Sequence, residues 1–355
     1  MVCGQLRRWQ VLVVLAALAP VPVLAHEKWF TDARRYPLQL RLLWSAPTVL
    51  AVAMAALVVL GLWLVRRLVG GDNLWPRIGF LRRFDPAAPV VIAIQSGIAL
   101  IFMAVNLFVL APNLHVPFTA WGLLVASGEV AIAFAFISGA WARVGGGLLV
   151  LLVLLVGVLF GPAAMLEQSL YAGIGLYVLL QGRGLIDPQR PAREQRVRFP
   201  RARPYALTIL RVLTGFSIVV LAFTEKLLNP DLGAAFLRAY PDFNIARAVG
   251  VSWFTDARFV VAAGTVELAV GAALMSGILP RLVIFGMFVP FNLTIPFLPP
   301  TELLGHLPIF AVMYVLVFHL PADRSDARRS AGGWRWGERG GTGRGPRAGA
   351  TVMER

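Results

Sequence analysis

Long unbroken apolar runs dominate the chain, with neither the two-residue alternation of a half-buried strand nor the polar face of a soluble amphipathic helix. Runs long enough to cross a hydrocarbon core of about 30 Å begin near Ser45, Val90, Ala120, Val144, Ala164, Tyr205, Phe259, Leu282 and Leu303. The pattern predicts an all-α membrane protein of about nine transmembrane helices. The run from Ala164 is the weakest, because Glu167 and Gln168 shorten its apolar part.

The polar connections set the expected topology. Arg66, Arg67, Arg77, Arg82 and Arg83 follow the first run, Arg143 the third, the segment from Arg183 to Arg203 the fifth and Arg281 the seventh. The positive-inside rule puts all of these in the cytoplasm together with the C-terminus, and the N-terminus on the other side. The connections Pro112 to Thr119 and Gly161 to Ala163, which carry no lysine or arginine, then lie outside with the longer Asn229 to Arg258 loop.

Composition agrees: 58% of the 355 residues are hydrophobic and 14% charged, and mean hydropathy is +0.73. A net charge of +15 would suit nucleic-acid binding, but arginines confined to cytoplasmic connections need only the topology rule, so no nucleic-acid partner is expected. Arginine supplies nearly all the positive charge, since lysine occurs only at Lys28 and Lys226. That bias points to a bacterial inner membrane.

Arg7 and Arg8, the apolar Val11 to Leu18 and the small-residue site Val23-Leu24-Ala25 form a signal peptide over 1–25, with cleavage expected after Ala25. The only cysteine, Cys3, leaves with it, so thiol–disulfide chemistry is not expected. The mature chain would open with His26-Glu27-Lys28-Trp29-Phe30. A terminal histidine can chelate copper through its amine and ring, although most do not. Trp29, Phe30 and Trp44 are expected at the membrane interface. Residues 26–44 form an extracytoplasmic segment, 45–69 the first helix, 183–204 an arginine-rich cytoplasmic linker and 321–355 a Gly, Arg and Ser-rich tail that cannot build a core.

The two halves correspond. Glu129, Ser138-Gly139 and Arg143 recur as Glu267, Ser276-Gly277 and Arg281, each 138 positions later. Gly97, Pro112 and Leu114 match Gly215, Pro230 and Leu232 at 118, and Glu167 and Tyr171 match Glu302 and His306 at 135. Two tandem four-helix units, 90–182 and 205–320, are expected, related by an axis along the membrane normal.

Within the second unit, Arg211-Val-Leu-Thr-Gly215, Thr224-Glu225-Lys226-Leu227, Phe259 with Gly264 and Glu267, Ser276-Gly277-Ile-Leu-Pro-Arg281 and Glu302-Leu-Leu-Gly-His306 resemble the DoxX family of small four-helix membrane proteins. The resemblance implies a membrane component linked to quinone-dependent respiratory or oxidative-stress chemistry through a membrane or periplasmic redox partner. It does not imply catalysis by the chain alone. The first unit has lost the pattern: Leu107-Phe108 replace Glu225-Lys226, and Tyr171 replaces His306, so chemistry is expected in the second half.

Helical spacing gathers Glu225, Lys226, Glu267, Asn292, Thr294, Glu302 and His306 at the outer ends of four helices. Glu302 and His306, four apart, share a face. Charges at that depth cost several kcal/mol unless paired or hydrated, so Glu267 is expected to meet Lys226, His306 or water. The plain reading is an ion-pair network that fixes helix packing. The sharper one is a ligand pocket for a quinone or another small molecule, with Glu267 and His306 handling protons and Lys226 orienting a carbonyl. Ligation of a metal by Glu225, Glu267, Glu302 and His306 is less favoured, and haem is disfavoured because His306 and His319 lie nearly 20 Å apart along one helix. Gly145-Gly146-Gly147 lacks the strand and Lys-Ser/Thr element of a phosphate loop, and close helix packing explains it better. Two other functional classes stay open, a proton or small-solute transporter using Glu129 and Glu267, and a scaffold docking a periplasmic partner on the Asn229 to Arg258 loop.

Overall fold

The computed structural model describes residues 26–69, 84–85, 87–182, 202–248, 250–294 and 300–318, with backbone only for 245, 248, 289–294 and 300. The signal peptide, Arg77, Arg82 and Arg83, most of the 183–204 linker, His319 and the tail lie outside the described residues.

The apolar runs are helices: α1 (Ala46–Val69), α2 (Ala88–Val105), α3 (Ala120–Ser138), α4 (Ala142–Phe160), α7 (Ala206–Leu221), α9 (Asp256–Ser276), α10 (Pro280–Thr294) and α11 (Pro300–Phe318). The fifth run is two helices, α5 (Pro162–Glu167) and α6 (Ser169–Gln181), interrupted at Gln168. A further helix with an apolar face, α8 (Pro230–Ala239), fills the loop after α7. Seven of the helices are long and apolar enough to cross a membrane, and the chain is a multi-pass α-helical membrane protein. Large apolar side chains on the outer faces, such as Val105, Leu124, Phe134 and Val158, are 70–81% exposed, as a lipid-bathed surface requires. Trp44 is 83% exposed.

The only strands among the described residues are a small antiparallel pair, β1 (Phe108–Val109) and β2 (Ala111–His115), between α2 and α3. His115 is exposed and stacks edge-on against Phe108.

The described helices form one compact unit, made of two successive groups along the chain. One contains α2, α3, α4 and the α5–α6 pair; the other contains α7, α9, α10 and α11. They meet along two seams, α6 against α7 and α11 against α2, so the last helix of each group lies on the first helix of the other. Helix α1 lies on α9.

Several local devices occur in both groups. Gly139 and Gly277 end α3 and α9 with positive φ of 77° and 70°, conformations that cost a glycine little. Trp141 and Leu279 follow, also at positive φ. Arg143 donates to the carbonyls of Leu179 and Leu180, and Arg281 to that of Val317, covering carbonyls at a helix end that have no helical partner. A Cβ on Gly97 would meet Ile137 and the Ala133 carbonyl, and one on Gly215 would meet Met275 and the Gly271 carbonyl. Within the glycine triplet, Gly146 lies against α6, where a Cβ would come within 2.5 Å of the Gly175 carbonyl.

Candidate functional site

The site lies at the end of the helix bundle that holds the hairpin, the α4–α5 junction, the start of α11 and α8. It begins with a local irregularity. Helix α7 widens into a π-helical turn over Ala222–Leu227, closed by the Leu228 amide donating to the Phe223 carbonyl at 2.9 Å. In a regular helix adjacent residues point about 100° apart, so one of two neighbours tends to face outward. In this wider turn Glu225 and Lys226 are both buried, at 1% exposure each. Such turns recur at functional sites, and no sequence signal marked this one.

Lys226 is the hub. Its Nζ lies 3.0 Å from Glu267 Oε1 on α9 and 3.9 Å from Glu225 Oε2. It also donates to Glu27 Oε2 at 2.8 Å. Glu267 therefore meets one of its expected partners. On α11, His306 Nδ1 is 3.2 Å from Glu302 Oε1, with both side chains buried. Asn292 and Thr294 fall in the last turn of α10, and their side chains lie outside the described residues.

Trp29 and Phe30 were expected at the membrane interface, and no docking was foreseen for residues 26–30. They form a helical turn, Glu27–Phe30, inserted into the site. Glu27 is 3% exposed. Lys28 pairs with Glu167 and donates to Thr224 Oγ1 at 3.2 Å. His26 Nδ1 lies 3.7 Å from Glu225 Oε2. The rings of His26, Trp29 and His306 form a mutual cluster with centroids 4.3–5.2 Å apart. Gly305 faces Trp29 and leaves no room for a Cβ. Phe30 packs on Phe236 and Tyr240 of α8. Further along, the Gln39 amide donates to the Leu228 carbonyl at 2.9 Å, and Asn229 Nδ2 to the Tyr36 carbonyl at 2.9 Å. Aromatic rings beside a charged pentapeptide resembled an interfacial belt, and only the partners' positions reveal the docking.

The first half also contributes residues here, although chemistry was expected in the second. Leu110, Asn113, Glu167, Gln168 and Tyr171 of the first half line one cavity together with His26, Glu225, Glu267 and His306. Leu170, Ile218, Leu221 and Ile309 form the apolar part of its wall. The interruption at Gln168 turns Glu167 toward Lys28, and Ser217 on α7 donates to the Glu167 carbonyl. The cavity holds about 70 Å³, space for a few water molecules and well below the roughly 300 Å³ of a drug-sized ligand pocket.

Burial raises the Glu27 carboxyl to about 7, although Lys226 opposes the rise. Burial, aided by Lys226, lowers the His26 imidazole to about 3. Several buried oxygens, including Glu225 Oε2, Glu267 Oε2 and the Tyr171 hydroxyl, lack a hydrogen-bond partner among the described residues, so they are available to water, a proton or a ligand. Among the described residues no group of three or more His, Cys, Asp or Glu is arranged to hold a metal ion.

Fold and site together define a multi-pass helical membrane protein with a buried ionisable cluster at one end. No family model, curated protein or solved structure matches the chain.

Proposed function

We propose that the chain is a DoxX-like component of a bacterial inner membrane whose enclosed site, beneath the extracytoplasmic surface, binds the polar head of a quinone-class redox ligand and manages its protons. The observation that supports this reading most is the mixed lining of the cavity. Glu225, Glu267, His26 and His306 line it together with Leu170, Ile218, Leu221 and Ile309, which suits a ligand with a polar ring head and an apolar tail. Glu267 and His306 would take and return protons, and Lys226 would orient a carbonyl oxygen. At about 70 Å³ the closed cavity is too small for the whole ring, so entry requires the inserted N-terminal turn or the apolar wall to move.

Two bundles related by an axis along the membrane normal account for the reciprocal seams and for devices that recur at the 118- and 138-residue spacings. Under that arrangement the arginine-anchored ends face the cytoplasm and the site faces outward. Lys226, His306 and the inserted turn on one side against Tyr171 and Glu167 on the other make the site a composite of both bundles.

The test is binding of ubiquinone and menaquinone to the purified protein. Wild type binds, Glu267→Gln and His306→Ala bind at least ten-fold more weakly, and absence of binding by wild type removes the reading. Proton or solute flux in proteoliposomes that Glu267→Gln abolishes would favour a transporter instead.

A further inference from the structure

The cluster is short of positive charge. Glu27, Glu167, Glu225, Glu267 and Glu302 are all at most 5% exposed, and against these five carboxylates stand the ammonium groups of Lys28 and Lys226, the only lysines in the chain. With every group ionised and the histidines neutral, three negative charges remain uncompensated. A buried site resists such an excess strongly. His26 sits within the cluster, its Nδ1 3.7 Å from Glu225 Oε2, and covalent geometry keeps its backbone nitrogen within roughly 5 Å of that ring atom. In an uncut chain this nitrogen is a neutral amide. Cut after Ala25, it becomes an α-ammonium.

We propose that removal of residues 1–25 adds a third cation to the site: hydrolysis of the Ala25–His26 peptide bond converts the His26 amide nitrogen into an α-ammonium, which locks the 26–30 turn into the carboxylate cluster. Water supplies the hydroxyl that stays on the Ala25 carbonyl and the hydrogen that turns the amide nitrogen into an amine; the new Ala25 carboxylic acid then gives up its proton and the amine takes one up. Maturation is therefore a binding event within the same molecule as well as the loss of a targeting signal. It explains why the first charged residues after the cut, Glu27 and Lys28, both have buried partners 139 or more positions away. The inference uses the site but no property of its ligand, so its failure and that of the quinone reading are separable.

Few amines make the test clean. The mature chain would hold three, the His26 α-amine, Lys28 and Lys226. Intact mass of the purified full-length product should correspond to a start at His26. Acylation by an N-hydroxysuccinimide ester, read by peptide mass spectrometry, should modify all three at least ten-fold more slowly in the folded protein than in the denatured chain. An Ala25→Arg variant, which blocks cleavage, should label Lys28 at least ten-fold faster than wild type. Because that variant can also misassemble, a second one inserts Gly-Ser after Ala25, moving the new amine out of the cluster while keeping cleavage, and it too should expose Lys28. A different mature start, a His26 amine as reactive as in the denatured chain, or an inserted variant whose Lys28 stays protected would each overturn the proposal.

Discussion

Glu129 and Glu267 occupy matching places in their helix groups, yet they are neutralised differently. Glu129 is fully buried on α3, and its Oε1 accepts a hydrogen bond from the Leu110 amide at 2.9 Å. Its second oxygen has no hydrogen-bond partner among the described residues. Glu267 faces Lys226 at 3.0 Å, inside a network that draws in Glu27, Glu225 and the two histidines. A backbone amide can serve a carboxylic acid or a carboxylate, whereas an ammonium demands a negative partner. The first group therefore keeps an acid that supports its hairpin, and the second keeps an ion pair around which a site assembles. The lysine and the inserted turn make the difference.

Removing the hub tests that contrast most severely. Lys226→Met leaves Glu27, Glu225 and Glu267 buried without their common cation, and breaking a buried pair from one side costs about 3–5 kcal/mol. Thermal unfolding in detergent should show the loss, and Lys226→Met with Glu267→Gln should recover part of it. A single variant within about 1 kcal/mol of wild type would show that the network carries no net charge to compensate.

Second in size is the pH response of the inserted turn, which has no counterpart in the first group. The Glu27 carboxyl rises from 4.5 to about 7 on docking, through burial beside Glu225 and against the opposing pull of Lys226. Docking stabilised by its proton is therefore fully present below about pH 4.5 and lost as pH rises through 7, a span of about 3 kcal/mol. His26 acts in the other direction. Its imidazole falls from 6.5 to about 3, through burial beside Lys226 and Lys28 and against the opposing pull of Glu27 and Glu167, so docking weakens as pH drops below 6.5. Hydrogen exchange over residues 26–44, corrected for the intrinsic pH dependence, should show most protection between about pH 4.5 and 6.5. Glu27→Gln should flatten the alkaline side, and an unchanged alkaline limb in that variant would assign the loss to another group.

The sequence revealed the helices more fully than the site, for physical reasons that particular residues display. Apolar runs report their own length, so nine starts read near Ser45, Val90, Ala120, Val144, Ala164, Tyr205, Phe259, Leu282 and Leu303 fall within three residues of α1 to α5, α7 and α9 to α11. Glu167 and Gln168, which made the fifth run the weakest by shortening its apolar part, sit where its helix is interrupted. Counting along helices brought Glu267 into the same leaflet as Lys226 and His306, leaving Lys226, His306 or water as its expected partners, because depth in a membrane is nearly a one-dimensional quantity. His26, Glu27 and Lys28 were missed because docking is a three-dimensional event with no periodic trace. The signal that could have found them is the pairing of scarce residues: both lysines of an arginine-rich chain have an adjacent glutamate, and each reaches into the same cluster.

Backbone proximity offers a third test, now of packing rather than charge. A Cβ at Gly271 would lie 2.6 Å from the Gly215 carbonyl and 2.7 Å from Val219, so Gly271→Ala should separate α7 from α9 and cost about 1–3 kcal/mol. Gly147, whose Cβ would meet nothing within 4 Å, is the control in the first group. Gly147→Ala should be neutral or slightly stabilising, since alanine favours a helix by roughly 0.5–1 kcal/mol. Equal unfolding temperatures for the two variants would show that the α7–α9 contact relaxes freely.

The smallest expected effect belongs to the acid at the start of this comparison. Glu129→Gln keeps an oxygen that can accept from the Leu110 amide, and it removes no ion pair, because the hairpin supplies a hydrogen bond and no cation. The glutamine amide also matches the carboxyl group closely in size and shape. The change in unfolding free energy should stay under about 1 kcal/mol, against the several expected at Lys226, and quinone binding should be unaltered. A Glu129→Gln variant that destabilises as much as Lys226→Met would mean that Glu129 is ionised and paired with a charge, and the two helix groups would then share one electrostatic design.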